Sequence, residues 1–380
     1  MTQADPRPSD IVAPNLKLVA WEITRSCNLS CAHCRASAER GPYAGELSTA
    51  QCFALVDQIA EVGKPILILT GGEPLLREDL FEVGKYASSK GFRVVIGTNG
   101  TLVTEEMTRR MKTVPISRIS ISLDFPGAAM QDEFRGQKGA FDAAVAGVKT
   151  ARKAGIEVQI NSTVTKKNVA FLPQLVELAL ELDAAAFHPF MLVPTGRGKG
   201  LAMEELAPED YESTLKWICA KQAELGDRLM FKPTDAPHYY RVAQQCGMSV
   251  AHGHGHPGGH PRAAGGPQNM NAHTRGCLAG TGFCFISHTG RVQGCGYLDL
   301  EAGNITKQTF KEVWEGSPLF NDLRNLSLLT GKCGACEFKR LCGGCRARAY
   351  ESTGDYLAAE PYCVYEPTPG AVCEQGQGTE

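Results

Sequence analysis

Between Leu18 and Val193 the chain alternates short apolar runs with segments whose apolar residues recur at helical spacing, and short glycine-marked turns separate them. Leu18–Ile23, Ile66–Thr70, Arg93–Thr98, Ile116–Asp124, Glu157–Val164 and Ala185–Val193 read as strands. Between the first two, Phe53, Leu55, Val56, Ile59 and Val62 predict a helix capped by Ser48 and stopped at Gly63. Asp79–Lys90, Thr104–Lys112, Ala140–Ala154 and Leu172–Leu182 predict further helices. This alternation means parallel strands joined by crossover helices. Right-handed crossovers curl such a sheet toward a barrel. Six units make an open α/β partial barrel, (β/α)6, short of the eight that close one. Ligands are expected at the carboxyl ends of the strands.

The chemistry-bearing residues fall at those ends. After the first strand comes Cys27-Asn-Leu-Ser-Cys31-Ala-His-Cys34. A [4Fe–4S] cluster usually takes four cysteines, so three local thiolates leave one iron open. That iron can chelate an amine and a carboxylate, as S-adenosylmethionine (SAM) offers. A zinc site stays open as an alternative, although zinc favours four ligands in paired C-x2-C knuckles and His33 is the local fourth donor. Gly71-Gly72-Glu73-Pro74 follows the second strand, with two glycines that admit close approach of a ligand and an acceptor at Glu73. Thr98-Asn99-Gly100 follows the third, where an ordinary Asn-Gly turn also suffices. Ser120, Ser122 and Asp124 share one face of the fourth strand. That face looks into the barrel if Ile119, Ile121 and Leu123 look out, and polar groups there are costly unless they bind something.

Fifteen cysteines make the compartment matter. The Met1–Pro14 stretch is polar and Pro-rich, a tail and not a signal peptide. No apolar run spans a bilayer, and a net charge of −2 gives no reason to expect nucleic acid or an anionic membrane as partner. These features predict a cytoplasmic protein with reduced thiols, where clustered cysteines mean metal or redox work. Cys52, Cys219, Cys246 and Cys373 stand alone and read as small buried apolar residues. The expected divisions are a tail over 1–15, the barrel over 16–200, a connecting segment over 201–273, a cysteine-rich domain over 274–367 and a tail over 368–380.

In the connecting segment, Leu201–Leu225 reads as helical, with Leu215, Trp217, Ile218 and Leu225 as core candidates. His238-Tyr239-Tyr240-Arg241 suits a carboxylate or a flat ring, with a buried hairpin as the plainer reading. The tract His252–His260 is dense in Gly and Pro and reads as a mobile loop ahead of a metal or haem ligand. Beyond it lie Cys277, Cys284 and Cys295, then Cys333-x2-Cys336-x5-Cys342-x2-Cys345 and Cys363. A zinc ribbon and iron–sulfur clusters both fit that pattern.

The cysteine trio and the Gly-Gly-Glu-Pro turn, one strand apart, resemble the radical SAM superfamily. The C-terminal cysteines resemble its SPASM extension, with a last interval one residue shorter than usual. The resemblance implies that Cys27, Cys31 and Cys34 hold the SAM-binding [4Fe–4S] cluster. It implies SAM contacts from His33, Gly71, Gly72, Glu73, Asn99, Ser120, Ser122, Asp124, Arg135, Asn161 and Val193. It further implies one or two auxiliary clusters: Cys277, Cys295 and Cys345 with Cys284 as fourth ligand, and Cys333, Cys336, Cys342 and Cys363.

Thr24-Arg-Ser-Cys-Asn-Leu, Leu192-Val-Pro-Thr-Gly-Arg197, Pro237-His-Tyr-Tyr-Arg241, Thr274-Arg-Gly-Cys277, Gly282-Phe-Cys-Phe-Ile-Ser-His288 and Cys342-Gly-Gly-Cys-Arg-Ala-Arg-Ala-Tyr350 narrow the resemblance. Over about Leu16–Pro367 the chain is similar to the tetrapyrrole-modifying enzymes of the siroheme-dependent haem pathway, and most of all to its haem b synthases. That family converts iron-coproporphyrin III to haem b by oxidative decarboxylation of two propionates. A 5′-deoxyadenosyl radical from SAM abstracts hydrogen, and an auxiliary cluster takes up the leftover electron. The resemblance implies an iron tetrapyrrole substrate and a low-potential donor such as flavodoxin or ferredoxin. The expected propionate anchors are Arg197, His238, Tyr239, Tyr240, Arg241 and Arg275. Rival readings are a didecarboxysiroheme deacetylase, a haem d1 biosynthesis enzyme, a SPASM peptide-modifying enzyme and an iron–sulfur electron carrier.

Overall fold

The computed structural model describes residues 10–116, 118–248 and 275–368. The His252–His260 tract, Thr274 and Cys373 lie outside them. The first half follows the predicted alternation: β1 (Leu18–Thr24), α1 (Thr49–Val62), β2 (Ile66–Gly71), α2 (Leu80–Ser89), β3 (Arg93–Thr98), α3 (Glu105–Lys112), β4 (Arg118–Ser122), α4 (Ala128–Arg135), α5 (Ala140–Lys153), β5 (Glu157–Val164), α6 (Leu172–Glu181) and β6 (Ala186–Met191). Local chemistry sets the boundaries. Ser48 caps α1 in a capping box with Gln51, and the Gly63 N–H closes the helix on the Ile59 carbonyl. Helix α4, which carries Arg135, was not foreseen.

The six strands pair in parallel and in sequence order. Val19, Trp21 and Ile23 on β1, and Ile119 and Ile121 on β4, are fully buried beneath the helices, as is Leu123 just beyond β4. Ser120 and Ser122 alternate with them and stay partly exposed on the inner face. A Cβ added to Gly97 would lie 3.2 Å from Thr70 Oγ1 and 3.4 Å from Ser120 Oγ, so three adjacent strands share one small, polar inner surface. The predicted barrel interior is therefore present.

The sheet is larger than six strands. After α7 (Pro208–Leu225), the short β7 (Met230–Phe231) adds to β6, and α8 (His238–Gln245) follows. At the opposite edge β8 (Phe283–Ile286) pairs in parallel with β1, and β9 (Arg291–Cys295) and β10 (Leu298–Asn304) continue outward as an antiparallel hairpin. An uncovered β1 would be a bare edge with unpaired backbone groups, and the C-terminal strands remove it. The cysteine-rich part is thus continuous with the barrel sheet. It ends in α9 (Phe310–Gly316), α10 (Pro318–Arg324), α11 (Gly331–Ala335) and α12 (Arg346–Thr353). Residues 10–15 are not a loose tail. Val12 N–H donates to the Arg324 carbonyl and Asn15 N–H to that of Thr281, both at 2.8 Å.

Two buried ion clusters fasten the halves. Glu22 on β1 meets Arg35 and His288, each at 2.6 Å. Burial alone would raise the Glu22 pKa, but the His288 hydrogen bond and the Arg35 charge hold it below the usual carboxylate range. Arg348 on α12 is 1% exposed and donates to the carbonyls of Leu192 (3.0 Å) and Asp235 (3.1 Å), beyond the end of β6. Among the described residues, no helix is long and apolar enough to cross a membrane.

Candidate functional site

The loop after β1 is built around its thiols. Cys27 and Cys31 are buried and Cys34 is half-buried. Leu29 N–H donates to Cys27 Sγ at 3.4 Å, Ala38 N–H to Cys34 Sγ at 3.3 Å and Arg135 Nη1 to Cys31 Sγ at 3.7 Å. The three sulfurs lie within electrostatic reach of one another. Burial pushes the Cys27 thiol up to about 11 and raises that of Cys31, so thiolates here need a positive partner. Arg197 braces the loop. Its Nε donates to the Cys31 carbonyl (3.0 Å) and its Nη1 to that of Ala38 (2.8 Å), while Nη2 is buried without a partner. Gly196 makes this approach possible: at φ 55°, a Cβ would sit 2.1 Å from the Arg35 carbonyl oxygen.

Gly71 and Gly72 serve this same loop. A Cβ on either would strike the backbone of Thr24–Ser26, at 2.1 and 2.3 Å. Gly72 N–H donates to the Thr24 carbonyl and Glu73 N–H to that of Ser26. The glycines were expected to admit a ligand; the close approach is to the chain's own backbone. Glu73 is fully buried and accepts from Thr98 Oγ1 (2.7 Å), Asn99 N–H (2.8 Å) and Leu75 N–H (3.1 Å), and burial pushes its carboxyl up to about 7. The Asn99 side chain is taken up locally, donating to Asn28 Oδ1 (2.8 Å) and accepting from Thr101, which ties β3 to the cysteine loop.

Asp124 is fully buried and pairs with Arg135 at 2.5 Å. Arg135 is thus held by the chain's own carboxylate on one side and faces Cys31 on the other. His33 stacks on Phe134 at 4.4 Å, its Nδ1 is buried without a partner, and burial with the Arg135 charge pushes its pKa down to about 4. That stack is a neutral flat surface beside the sulfurs. Asn161 sits mid-strand on β5, opposite Ser122 and His188. Val193 is buried just past β6.

The C-terminal thiols form two groups. Cys295 and Cys345 act on each other and both feel Cys277. Cys333, Cys336, Cys342 and Cys363 share a second neighbourhood and line one cavity with Arg241 and His238. Backbone N–H groups reach these sulfurs too, from Tyr297 to Cys295 (3.5 Å), Gly344 to Cys342 (3.4 Å) and Glu360 to Cys333 (3.3 Å). Cys284 does not join the first group. It lies opposite Val19 in the sheet, is fully buried, and packs in the apolar core. Two residues passed over in the sequence are close by. Tyr297 feels the charges of Asp235, Arg35, Cys295 and Cys34, so it lies near both the loop thiols and the first C-terminal group. Asp235 lies near Cys295 and Cys345.

Most expected propionate anchors are already engaged. Arg241 is 3% exposed, and its guanidinium meets both oxygens of Glu212, at 3.0 and 2.5 Å. Its segment is a helix, α8, and not a hairpin. Tyr239 is buried on that helix against Cys219 and Tyr240. His238 is the exception: it is buried edge-on to Tyr211, and neither of its ring nitrogens has a hydrogen-bond partner. Arg275 donates to the Lys339 carbonyl at 3.0 Å and feels Cys277 and Cys342. Arg241 and Arg275 thus sit beside thiols, Arg241 in the cavity lined by Cys333, Cys336, Cys342 and Cys363. Of the solitary cysteines, Cys52 and Cys219 are buried as expected, and Cys246 is exposed.

Among the described residues, no three His, Cys, Asp or Glu converge as they would around a single metal ion. A cluster spreads its ligands over several irons, and the N–H-decorated, cation-flanked thiols fit one well. The radical SAM superfamily model matches residues 21–175, and the iron–sulfur cluster-binding SPASM model matches residues 277–346. An AdoMet-dependent heme synthase of Nitratidesulfovibrio vulgaris is 46% identical over 378 residues, 98% of each chain. A pre-heme d1 synthase of Dinoroseobacter shibae is 32% identical, over 91% of this chain and 85% of its own. The crystal structure of Streptococcus suis SuiB bound to S-adenosylmethionine aligns with a TM-score of 0.71 over 94% of this chain and 79% of that one, at 16% identity, a likeness of fold alone. The chain is a radical SAM enzyme: its barrel takes SAM and a [4Fe–4S] cluster, and its SPASM domain takes auxiliary iron–sulfur clusters. Within that class it belongs to the family of the AdoMet-dependent heme synthases.

Proposed function

We propose that the enzyme converts two propionates of iron-coproporphyrin III to vinyls, giving haem b. The end-to-end identity of 46% with an AdoMet-dependent heme synthase, well above that with a pre-heme d1 synthase, carries this reading. When bound, SAM and the reduced cluster at Cys27, Cys31 and Cys34 supply a carbon radical able to remove a hydrogen atom. Each propionate then gives up carbon dioxide and one electron and becomes a vinyl.

The chain's residues divide that work. Asp124 fixes Arg135 beside Cys31, where its charge favours the reduced, more negative cluster. The His33–Phe134 stack offers a flat face to the adenine, and Ser120, Ser122 and Asn161 offer hydroxyl and amide groups to the ribose. Arg197 keeps one free guanidinium nitrogen for a carboxylate. The two C-terminal thiol groups hold the electron's acceptor, and Tyr297 lies near both Cys34 and Cys295. A low-potential flavodoxin or ferredoxin recharges the first cluster.

The test is anaerobic incubation of the reconstituted enzyme with SAM, a reductant and iron-coproporphyrin III, followed by mass analysis. Two successive losses, each of the mass of formic acid, are expected. An unchanged porphyrin, with turnover of a siroheme-derived substrate instead, would move the activity to the deacetylase.

A further inference from the structure

Cys277, Cys295 and Cys345 gather at one place, yet a cubane cluster has four irons to ligate. The described cysteine expected as fourth, Cys284, is buried in the apolar core opposite Val19. Glu360, the other acid near Cys345, is already committed, accepting from the Cys345 N–H at 2.8 Å.

Asp235 has one oxygen uncommitted, although the Arg348 charge bears on its carboxylate. Its Oδ2 is buried and has no hydrogen-bond partner. Its negative charge reaches both Cys295 and Cys345. Its backbone is held at φ 55°, a conformation uncommon for a side-chain-bearing residue, by donors to its carbonyl from Tyr211 (3.0 Å) and Arg348 (3.1 Å). Thr234 beside it bridges to Phe190 on β6, so Asp235 sits next to the edge of that strand. Two buried groups therefore fix the Asp235 backbone, and its side chain carries an oxygen with no hydrogen-bond partner among the described residues.

The geometry points to Asp235 as the fourth protein ligand of the cluster held by Cys277, Cys295 and Cys345. A carboxylate is a harder donor than a thiolate, so one iron of that cluster differs from the other three. The inference rests on grouping those three thiols at one cluster.

The test uses the full chain with Cys27, Cys31 and Cys34 replaced by Ala, so that the remaining iron is auxiliary. Mild ferricyanide oxidation takes one electron from a cubane whose fourth iron lacks a protein ligand, expels that iron as Fe2+ and leaves a paramagnetic [3Fe–4S] cluster. The parent should show almost none of this signal. Asp235→Ala should raise it to about one spin per chain, and Asp235→Cys should abolish it again. Equal signals in the parent and Asp235→Ala would overturn the assignment. So would an Asp235→Ala protein with unchanged clusters and weakened tetrapyrrole binding, which would make Asp235 a substrate contact. Cys295→Ala should lose this cluster outright; retained iron there would break the thiol grouping itself.

Discussion

Arg135 Nη1 lies 3.7 Å from the sulfur of Cys31, while its Nη2 lies 2.5 Å from Asp124. One guanidinium thus links the inner face of the sheet to the thiol loop. Removing it deletes a positive charge beside the cluster and strands a fully buried carboxylate. Arg135→Ala should lower the midpoint potential of that cluster, measured by EPR-monitored titration. It should also cost about 3–5 kcal/mol of stability, the range for breaking a buried pair. An unchanged potential would mean that the cluster does not feel this charge.

Arg241 was expected to grip a propionate, but Glu212 already holds it fork to fork. Arg241→Ala should therefore lower unfolding stability by about 3–5 kcal/mol and leave tetrapyrrole affinity nearly unchanged. A stable variant with weakened substrate binding would restore the anchoring role.

Glu22 ties the barrel to the C-terminal strands through Arg35 and His288. Its folded-state pKa is lowered from 4.5, so the folded form binds fewer protons there than the unfolded chain. The stability it contributes is present above the unfolded pKa and is lost as pH falls through the lower, folded value. Glu22→Gln should flatten the acid limb of the stability curve below about pH 4.5. Denaturant titrations at several pH values check this, and parallel acid limbs would contradict it.

Cys284 is fully buried opposite Val19, and burial alone, with no neighbouring thiol, raises its pKa. Cys284→Ala should keep the full iron and sulfide content and lose about 1–2 kcal/mol from the small cavity. Loss of a cluster in this variant would return Cys284 to the ligand set.

Features written in contiguous sequence were the legible ones. The strand–helix alternation and the Ser48 cap depend on spacing within one segment, whereas the grouping of the C-terminal cysteines came only with the family resemblance. The bare edge of β1 was not legible, because its partner β8 lies more than 250 residues away. Nor could sequence say what an arginine faces. Arg241 and Glu212 meet only because α7 and α8 pack, and Arg135 reaches Cys31 from a helix that the pattern did not announce. Cys284 could have been read better: Cys-Phe-Ile after Phe283 is an apolar strand run, where a buried thiol is ordinary core. Asp235 carries no motif, and only tertiary folding brings it to the cysteines.

The central claim is radical decarboxylation of propionates, and an isotope follows it most directly. Iron-coproporphyrin III deuterated at the ring-attached propionate carbons would be turned over anaerobically, and the 5′-deoxyadenosine weighed. The account predicts one deuterium in each 5′-deoxyadenosine and two such molecules per haem b formed. Unlabelled 5′-deoxyadenosine accompanying vinyl formation would contradict it.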